Sequence, residues 1–129
     1  MAARPRLCDA TAVTTVLIVD DHPSFRATAR ALLLAEGYEV VGEAPDGESA
    51  VEAAKALRPD LVLLDVQLPD IDGFEVARRL RANGSAPAIV LTSSRDASEF
   101  GSLVDESGAR GFVPKPELSG AAIAALIDQ

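Results

Sequence analysis

The feature that most constrains the fold is a repeated short run of residues that is apolar at nearly every position. Such runs lie at residues 15–19 (TVLIV), 60–66 (DLVLLDV) and 88–93 (AIVLTS). A strand that is apolar on both of its faces must be covered on both, which is typical of a parallel sheet between layers of helices. These three runs therefore predict buried, central strands.

Segments with a helical spacing of apolar residues separate the strands. Residues 39–44 (EVVGEA) and 111–114 (GFVP) predict two further strands, the first nearer an edge because it is more polar. Helices are predicted over residues 23–37, 46–58, 72–84, 96–108 and 119–129. The alternation of five strands with five helices predicts an α/β fold with right-handed crossovers and helices on both faces of the sheet.

Particular residues are expected to begin the helices or to face the core. Asp72 and Glu75 have the spacing of a capping box at the start of the third predicted helix. Leu57 is expected to face inward from the second helix, and Phe100, Leu103 and Val104 are expected to share one face of the fourth. The inward face of the first helix is predicted to comprise Phe25, Ala29, Leu32 and Leu33.

Composition limits the kind of partner and the compartment. The chain has 129 residues, which we divide into a flexible leader (1–14) and one folded domain (15–129). A net charge of −8 argues against direct binding to nucleic acid or to an anionic membrane surface. Cys8 is the only cysteine, so an intramolecular disulfide is excluded and a reducing compartment, the cytoplasm, is expected.

Acidic residues stand at the ends of two predicted strands. Asp20 and Asp21 follow the first strand, and Asp65 lies at the end of the third. Carboxyl ends of parallel strands meet at one edge of a sheet, so neighbouring strands would bring three carboxylates together. Mutual repulsion would then favour a hard divalent cation, of which Mg²⁺ is the natural candidate.

Polar residues at the ends of the last two strands complete this edge. Thr92 ends the fourth strand, and Lys115 follows the fifth. The lysine and a divalent cation would balance the three carboxylates, which leaves a site that suits phosphoryl transfer. Asp65 is then the candidate nucleophile, since carboxylates form acyl phosphates, and Thr92 can donate its hydroxyl to a phosphoryl oxygen.

Four stretches in this order carry a resemblance to a known family: VLIVDDHP, PDLVLLDVQLPDIDG, LTSS and GFVPKP. Across residues 15–128 the chain resembles the receiver domain of bacterial two-component response regulators. The resemblance implies a flavodoxin-like fold with a five-stranded parallel sheet in the order 2-1-3-4-5. The stretches DDHP and VGEA are most similar to regulators that carry a helix-turn-helix output domain.

The resemblance also implies roles at the acidic edge. Asp20 and Asp21 match the acidic pair that binds Mg²⁺, and Asp65 matches the phosphoacceptor, which also contacts the metal. The backbone carbonyl of Gln67 would be a further metal ligand.

The remaining implied roles concern the response to phosphorylation. Thr92 matches the hydroxyl residue that moves toward the phosphoryl group, and Phe112 matches the aromatic residue that swings inward. Lys115 matches the lysine that pairs with the phosphoryl group, and its bond to Pro116 is often cis in the family. The surface of the fourth helix, fifth strand and fifth helix would change.

Partners follow from the same resemblance. The phosphoryl group would come from the phosphohistidine of a sensor histidine kinase, and the signal would pass to an output domain or a downstream protein. A homodimer linked to phosphorylation is possible in this family. The chain would be a signalling protein rather than an enzyme, although it would promote its own phosphorylation and dephosphorylation with Mg²⁺.

Other functions are weighed against this one. A receiver-like module that only binds partners, without phosphorylation, would not need the complete set of acidic residues and lysine. A phosphatase of the haloacid dehalogenase type needs a second aspartate at position 67, where Gln67 cannot act as an acid. His22 lies beside the acidic pair, and we interpret it as a loop residue before the first helix rather than as a phosphohistidine or metal ligand.

Overall fold

Five strands form one parallel sheet in the computed structural model, which describes residues 13–82, 87–95 and 97–127. The strands are β1 (Thr15–Val19), β2 (Glu39–Ala44), β3 (Leu61–Asp65), β4 (Ala88–Ser93) and β5 (Gly111–Pro114). Their order is β2-β1-β3-β4-β5, so the predicted flavodoxin-like sheet is confirmed. The winding reverses between β1 and β3, and this switch point is where α/β sheets place their sites.

Hydrogen bonds between Thr15 and Asp60 hold β1 and β3 together at the N-terminal ends of the two strands. The backbone N–H and the hydroxyl of Thr15 donate to Oδ2 of Asp60, at 2.9 Å and 3.2 Å. The backbone N–H of Asp60 donates in return to the Thr15 hydroxyl at 3.0 Å. The register set there pairs Val19 with Leu64, so Asp20 and Asp65 follow side by side at the other end.

The helices cover both faces of the sheet and create two apolar cores. They are α1 (Pro23–Ala35), α2 (Gly47–Leu57), α3 (Gly73–Ala82), α4 (Leu103–Glu106) and α5 (Gly120–Ile127). Helices α1 and α5 pack on one face, where Leu33 and Ile123 are fully buried. Helices α2 and α3 pack on the other, where Val76 and Leu64 are fully buried. Each such side chain stabilises the fold by about 1.5–3 kcal/mol.

Acidic caps begin two of these helices. Oδ1 of Asp46 accepts a hydrogen bond from the backbone N–H of Ser49 at 2.8 Å at the start of α2. Oδ1 of Asp72 likewise accepts from the backbone N–H of Glu75 at 2.8 Å. This bond is one half of the predicted capping box. The Glu75 carboxylate, which would form the other half with the backbone N–H of Asp72, instead forms ion pairs with Arg78 and Arg79 of α3.

The prediction of one helix over residues 96–108 is wrong. A 3₁₀ turn at Ala97–Phe100 comes first, and α4 is only four residues long. Between them Gly101 has a φ of +57°, a left-handed conformation that glycine adopts readily and that interrupts a right-handed helix. Leu103 is consequently 47% exposed, whereas Phe100 and Val104 both pack, partly buried, against the same core as predicted.

Smaller differences occur at element ends. Leu57 is 43% exposed rather than inward, because it lies in the last turn of α2 over Gly42 of the edge strand β2. The described residues contain no cis peptide bond, so the Lys115–Pro116 bond is trans. Cys8 and the predicted leader up to residue 12 lie outside the described residues. Within the described part of the chain, the helices are too short or too polar to cross a membrane.

Candidate functional site

Three carboxylates meet at the switch point between β1 and β3. Asp20 and Asp21 follow β1 directly, and Asp65 is the last residue of β3. Together with His22, each offers one ligand atom, and these atoms all lie within 4.8 Å of one another. Asp20 and Asp65 are buried, whereas Asp21 is partly exposed. The structure thus brings together the three acidic residues that the strand ends indicated.

Local hydrogen bonds position Asp20. Its Oδ1 accepts from the backbone N–H of His22 at 2.8 Å, which turns the carboxylate back over the loop that leads into α1. Its backbone carbonyl accepts from Nη1 of Arg26 at 2.6 Å, and its backbone N–H donates to Ala44 at 3.0 Å. The residue is therefore fixed by the adjacent strand and by the first turn of α1.

Asp65 is held by its own loop and by a strand neighbour. Its Oδ1 accepts from the backbone N–H of Gln67 at 3.1 Å. Beyond it, the backbone N–H of Val66 donates to the carbonyl of Thr92 at 2.9 Å, which extends the pairing with β4 past the strand end. Gly73 closes the loop, since its backbone N–H donates to the Val66 carbonyl at 2.7 Å.

Lys115 reaches into the acidic group from the turn after β5. Its Nζ lies 2.7 Å from Oδ2 of Asp20 and 3.4 Å from Oδ2 of Asp65. The same atom stands 4.4 Å from the centroid of the Phe25 ring, a cation–π contact that helps to fix the side chain. The ammonium group therefore offsets part of the negative charge of two buried carboxylates.

The environment of Asp65 makes its carboxyl a weaker acid. Burial raises its pKa most, and the charge of Asp20 raises it further, while the Gln67 N–H and the Lys115 ammonium lower it. The net effect raises the pKa of Asp65 from 3.8 to about 6. The carboxyl is thus mostly ionised at neutral pH, at a cost that a nearby positive charge would reduce.

The donor set fits a hard divalent cation. Two buried oxygens, Oδ2 of Asp20 and Oδ1 of Asp21, have no hydrogen bond of acceptable geometry in spite of the nearby Lys115 and His22 groups. Buried carboxylate oxygens that lack hydrogen bonds are ligands of the kind that Mg²⁺ prefers. The role expected for the Gln67 carbonyl remains a prediction.

Thr92 lies beside Asp65 in the sheet, since the two residues are register partners of β4 and β3. Its side chain is buried, and its hydroxyl donates to the backbone carbonyl of Val113 at 2.7 Å. The hydroxyl is thus engaged with β5 and would have to break this bond to reach the Asp65 side.

Phe112 belongs to a row of three aromatic rings. Its ring centroid lies 5.7 Å from that of Phe100, which in turn lies 5.6 Å from that of Phe74. The row joins β5, the 3₁₀ turn and α3, and Phe112 is itself only partly buried. A ring in this position has both apolar neighbours and access to the surface.

Two contacts near the site were not foreseen from the sequence. The His22 ring lies across the acidic pair, with Nδ1 at 3.0 Å from Oδ1 of both Asp20 and Asp21. Asp70, in the loop after β3, accepts hydrogen bonds from the backbone N–H groups of Gly47 and Glu48, each at 2.8 Å. Aspartates of turns often bind backbone N–H groups, but the sequence does not tell which distant helix start they will meet.

Comparisons with known proteins identify the family of the chain. The family model described as the response regulator receiver domain matches residues 16–127. Over 102 residues the chain is 40% identical to the virulence-factor transcription regulator BvgA of Bordetella pertussis. This match covers 79% of this chain and 49% of BvgA. The chain spans about half the length of the curated relatives that it matches.

Solved structures show the same architecture. A two-component response regulator of the LuxR family from Aurantimonas superposes with a TM-score of 0.81 at 32% identity, over 92% of this chain and 88% of that one. A chain of the CheX–CheY–BeF3–Mg²⁺ complex from Borrelia burgdorferi superposes with a TM-score of 0.82 at 25% identity, over 93% and 90%.

Proposed function

The chain belongs to the response regulator receiver domain family of two-component systems, and we propose that it accepts a phosphoryl group on Asp65 with the help of Mg²⁺. The observation that supports this most directly is the convergence of Asp20, Asp21 and Asp65 beside the Lys115 ammonium. In the proposed reaction an oxygen of Asp65 forms a bond to phosphorus. The P–N bond of a kinase phosphohistidine breaks, and the imidazole nitrogen retains the electron pair.

Charge compensation is the main task of the residues around Asp65. Mg²⁺, when bound by Asp20, Asp21 and Asp65, would supply positive charge against the carboxylates and the incoming phosphoryl oxygens. The Lys115 ammonium is already within 3.4 Å of Oδ2 of Asp65, so a small movement would bring it to a phosphoryl oxygen. Phosphoryl transfer depends on such positioning and electrostatic stabilisation more than on covalent help from the protein.

Phosphorylation would then switch the site through Thr92. The new phosphoryl oxygens offer its hydroxyl a charged acceptor in place of the neutral Val113 carbonyl, which it contacts at 2.7 Å. A movement of Thr92 toward Asp65 would leave space beside β5, and Phe112 would turn inward to fill it. This would alter the surface formed by α4, β5 and α5, a two-state element biased by a local charge.

The partners in this proposal are a sensor histidine kinase as donor and an output domain or downstream protein as receiver of the signal. Relatives such as BvgA are transcription regulators, and the match with this chain covers about half of their length. We place the chain in the cytoplasm, where its single cysteine would remain reduced. A phosphorylation-linked homodimer through the α4, β5 and α5 surface is a further part of the proposal.

The test is intact-mass measurement after incubation with Mg²⁺ and a small acyl phosphate. We expect the wild-type chain to gain one phosphoryl group, and to lose this gain when the cation is chelated. Asp65→Asn should gain none, whereas Asp105→Asn, which changes an exposed acid of α4, should behave like the wild type. A wild-type chain that stays unmodified would instead support the binding module without phosphorylation.

A further inference from the structure

The only histidine of the chain lies against the proposed cation site rather than away from it. Nδ1 of His22 is 3.0 Å from Oδ1 of Asp20 and 3.0 Å from Oδ1 of Asp21. Nδ1 thus contacts one carboxylate oxygen of each aspartate, and its contact with Asp20 has the geometry of a hydrogen bond. His22 also belongs to the group of four residues, Asp65 among them, that each offer one ligand atom within 4.8 Å of the others.

These separations match the spacing of ligands around a metal ion. Two neighbouring ligands of an octahedral ion with bonds of 2.0–2.1 Å are about 3 Å apart, and opposite ligands are about 4.2 Å apart. The two 3.0 Å separations have the first value. The limit of 4.8 Å for the whole group exceeds the second by only about half an ångström, so a small contraction would suffice.

We propose that Nδ1 of His22 is an additional metal ligand, and that the site therefore selects borderline divalent transition-metal ions such as Co²⁺ or Zn²⁺ over Mg²⁺ more strongly than carboxylates alone would. This inference rests on the cation site of the proposed function. Imidazole nitrogen suits these ions, whereas Mg²⁺ prefers oxygen and keeps several of its waters.

The local backbone holds the imidazole in place. The backbone N–H of His22 donates to Oδ1 of Asp20 at 2.8 Å, so the residue is fixed to the first ligand. Pro23 follows at the first position of α1, and His22 itself has an extended backbone with φ −100° and ψ 110°. The ring is 63% exposed, so it has room for the small rotation that coordination requires.

The competing interpretation is a charged imidazole that merely pairs with the two carboxylates. Such a group would repel a cation, whereas a ligand would attract one, and the two roles give opposite results when the ring is removed. Removing a ligand that is selective for transition metals also changes the affinities for Co²⁺ and Mg²⁺ to different extents. Removing a charge that only competes with the cation changes both affinities equally.

Calorimetric titration with Co²⁺ and with Mg²⁺ tests the proposal. We expect His22→Ala to weaken Co²⁺ binding by about tenfold or more and to change Mg²⁺ binding by less than about twofold. Ser24→Ala, at an exposed position of the same helix start, should leave both affinities as in the wild type. Equal changes for both ions, no change for either, or tighter binding of both by His22→Ala would overturn the proposal.

A spectroscopic measurement separates coordination from proximity. Because the chain has one histidine, the Co²⁺ complex should show a single set of imidazole proton signals displaced by direct bonding to the metal, and His22→Ala should lack it. A Co²⁺ complex in which the imidazole signals are only broadened would overturn the proposal. If the wild type in that case still binds Mg²⁺ and takes up a phosphoryl group, the proposed function stands without the His22 ligand. A wild-type chain that binds neither Co²⁺ nor Mg²⁺ would refute both the His22 ligand and the proposed function.

Discussion

Lys115 is closer to Asp20 than to Asp65: its Nζ lies 2.7 Å from the first carboxylate and 3.4 Å from the second. The lysine is therefore paired with a predicted metal ligand, and only loosely with the predicted phosphoacceptor. A cation at the site and the lysine would share the charge of Asp20. Cation binding would thus free the ammonium group for a ligand on the Asp65 side.

Replacing the lysine should make the fold depend on divalent cations. Lys115→Met takes the ammonium away from the fully buried Asp20, and we expect the free energy of unfolding to fall by about 3 kcal/mol in a chelator, because a buried charge loses its partner. Mg²⁺ should restore much of this loss. Urea unfolding with and without Mg²⁺ measures both effects.

The matched control for that change is Lys55→Met. Lys55 is exposed and lies 3.9 Å from an exposed Glu52, so its loss should cost less than about 1 kcal/mol with or without Mg²⁺. If Lys115→Met were destabilised equally in both conditions, the charge-sharing interpretation would be wrong.

The raised pKa of Asp65 predicts a stability that falls as the pH rises. The folded carboxyl keeps its proton up to about pH 6, whereas the unfolded one loses it near its ordinary pKa of 3.8. Between these values the folded state binds more protons, so ionisation at higher pH costs up to about 3 kcal/mol without a cation. The Asp65→Asn variant should not show this loss of stability, because an asparagine side chain does not ionise.

Urea unfolding in a chelator checks the prediction. Asp65→Asn should be more stable than the wild type at about pH 7.5 and nearly equal to it at about pH 4. Mg²⁺ should narrow the difference at the higher pH, because the cation stabilises the ionised carboxylate of the wild type. An advantage of the variant that does not change with pH would contradict the proposed cause.

Gly73 sets the distance between α3 and the end of β3. A Cβ at this position would stand 2.5 Å from the backbone carbonyl oxygen of Asp65 and 2.8 Å from Cα of Val66. Gly73→Ala should therefore push the Asp65 loop away, at a cost of about 1–3 kcal/mol, and should also weaken Mg²⁺ binding. Unfolding and calorimetric titration give the two values.

Gly37→Ala is the informative comparison. Gly37 has a φ of +91°, so alanine is strained there, but a Cβ would meet no atom within 4 Å. We expect a loss of about 1 kcal/mol with unchanged Mg²⁺ affinity. Unchanged Mg²⁺ affinity in both glycine variants would show that the tight contact at Gly73 does not position Asp65.

Asp70 should stabilise the fold only while it is ionised. Asp70 is exposed, and a small loss of solvation tends to raise its pKa, but the backbone N–H groups of Glu48 and Gly47 outweigh this and lower the pKa below 3.8. The contribution of Asp70 is therefore present above the ordinary pKa and is lost on acidification. Asp70→Ala should cost about 1–2 kcal/mol at neutral pH, as the loss of a helix cap does.

Acid unfolding curves test the sign of this effect. The difference between wild type and Asp70→Ala should shrink as the pH falls through the lowered pKa of Asp70, and Asp105→Ala should show no comparable difference at any pH. A difference that stays constant on acidification would mean that Asp70 acts through packing rather than through its charge.

The strand pattern predicted most of the fold because its signal is local and strong. Runs such as 15–19 and 88–93 are apolar on both faces, and only a sheet between two helical layers buries them. The failure over 96–108 has a local cause too, since the apolar spacing there is helical but Gly101 adopts a left-handed conformation. The conformation of this glycine, rather than the helical periodicity, decides the local structure.

The candidate site was predictable in outline but not in its contacts. The positions of Asp20, Asp21 and Asp65 at strand ends suffice to bring them together once the strand order is known. The preference of Lys115 for Asp20 and the position of the His22 ring depend on side-chain orientations that no spacing encodes.

The interrupted segment between β4 and β5 has a thermodynamic consequence. A helix of four residues such as α4 contains few internal hydrogen bonds, and Leu103 adds little burial to hold it. Phe100 and Val104 pack against the core, but the segment has little regular backbone hydrogen bonding, so its amide protons should exchange with solvent sooner than those of β3. Any rearrangement of this segment would therefore cost less free energy than a rearrangement of the longer helices.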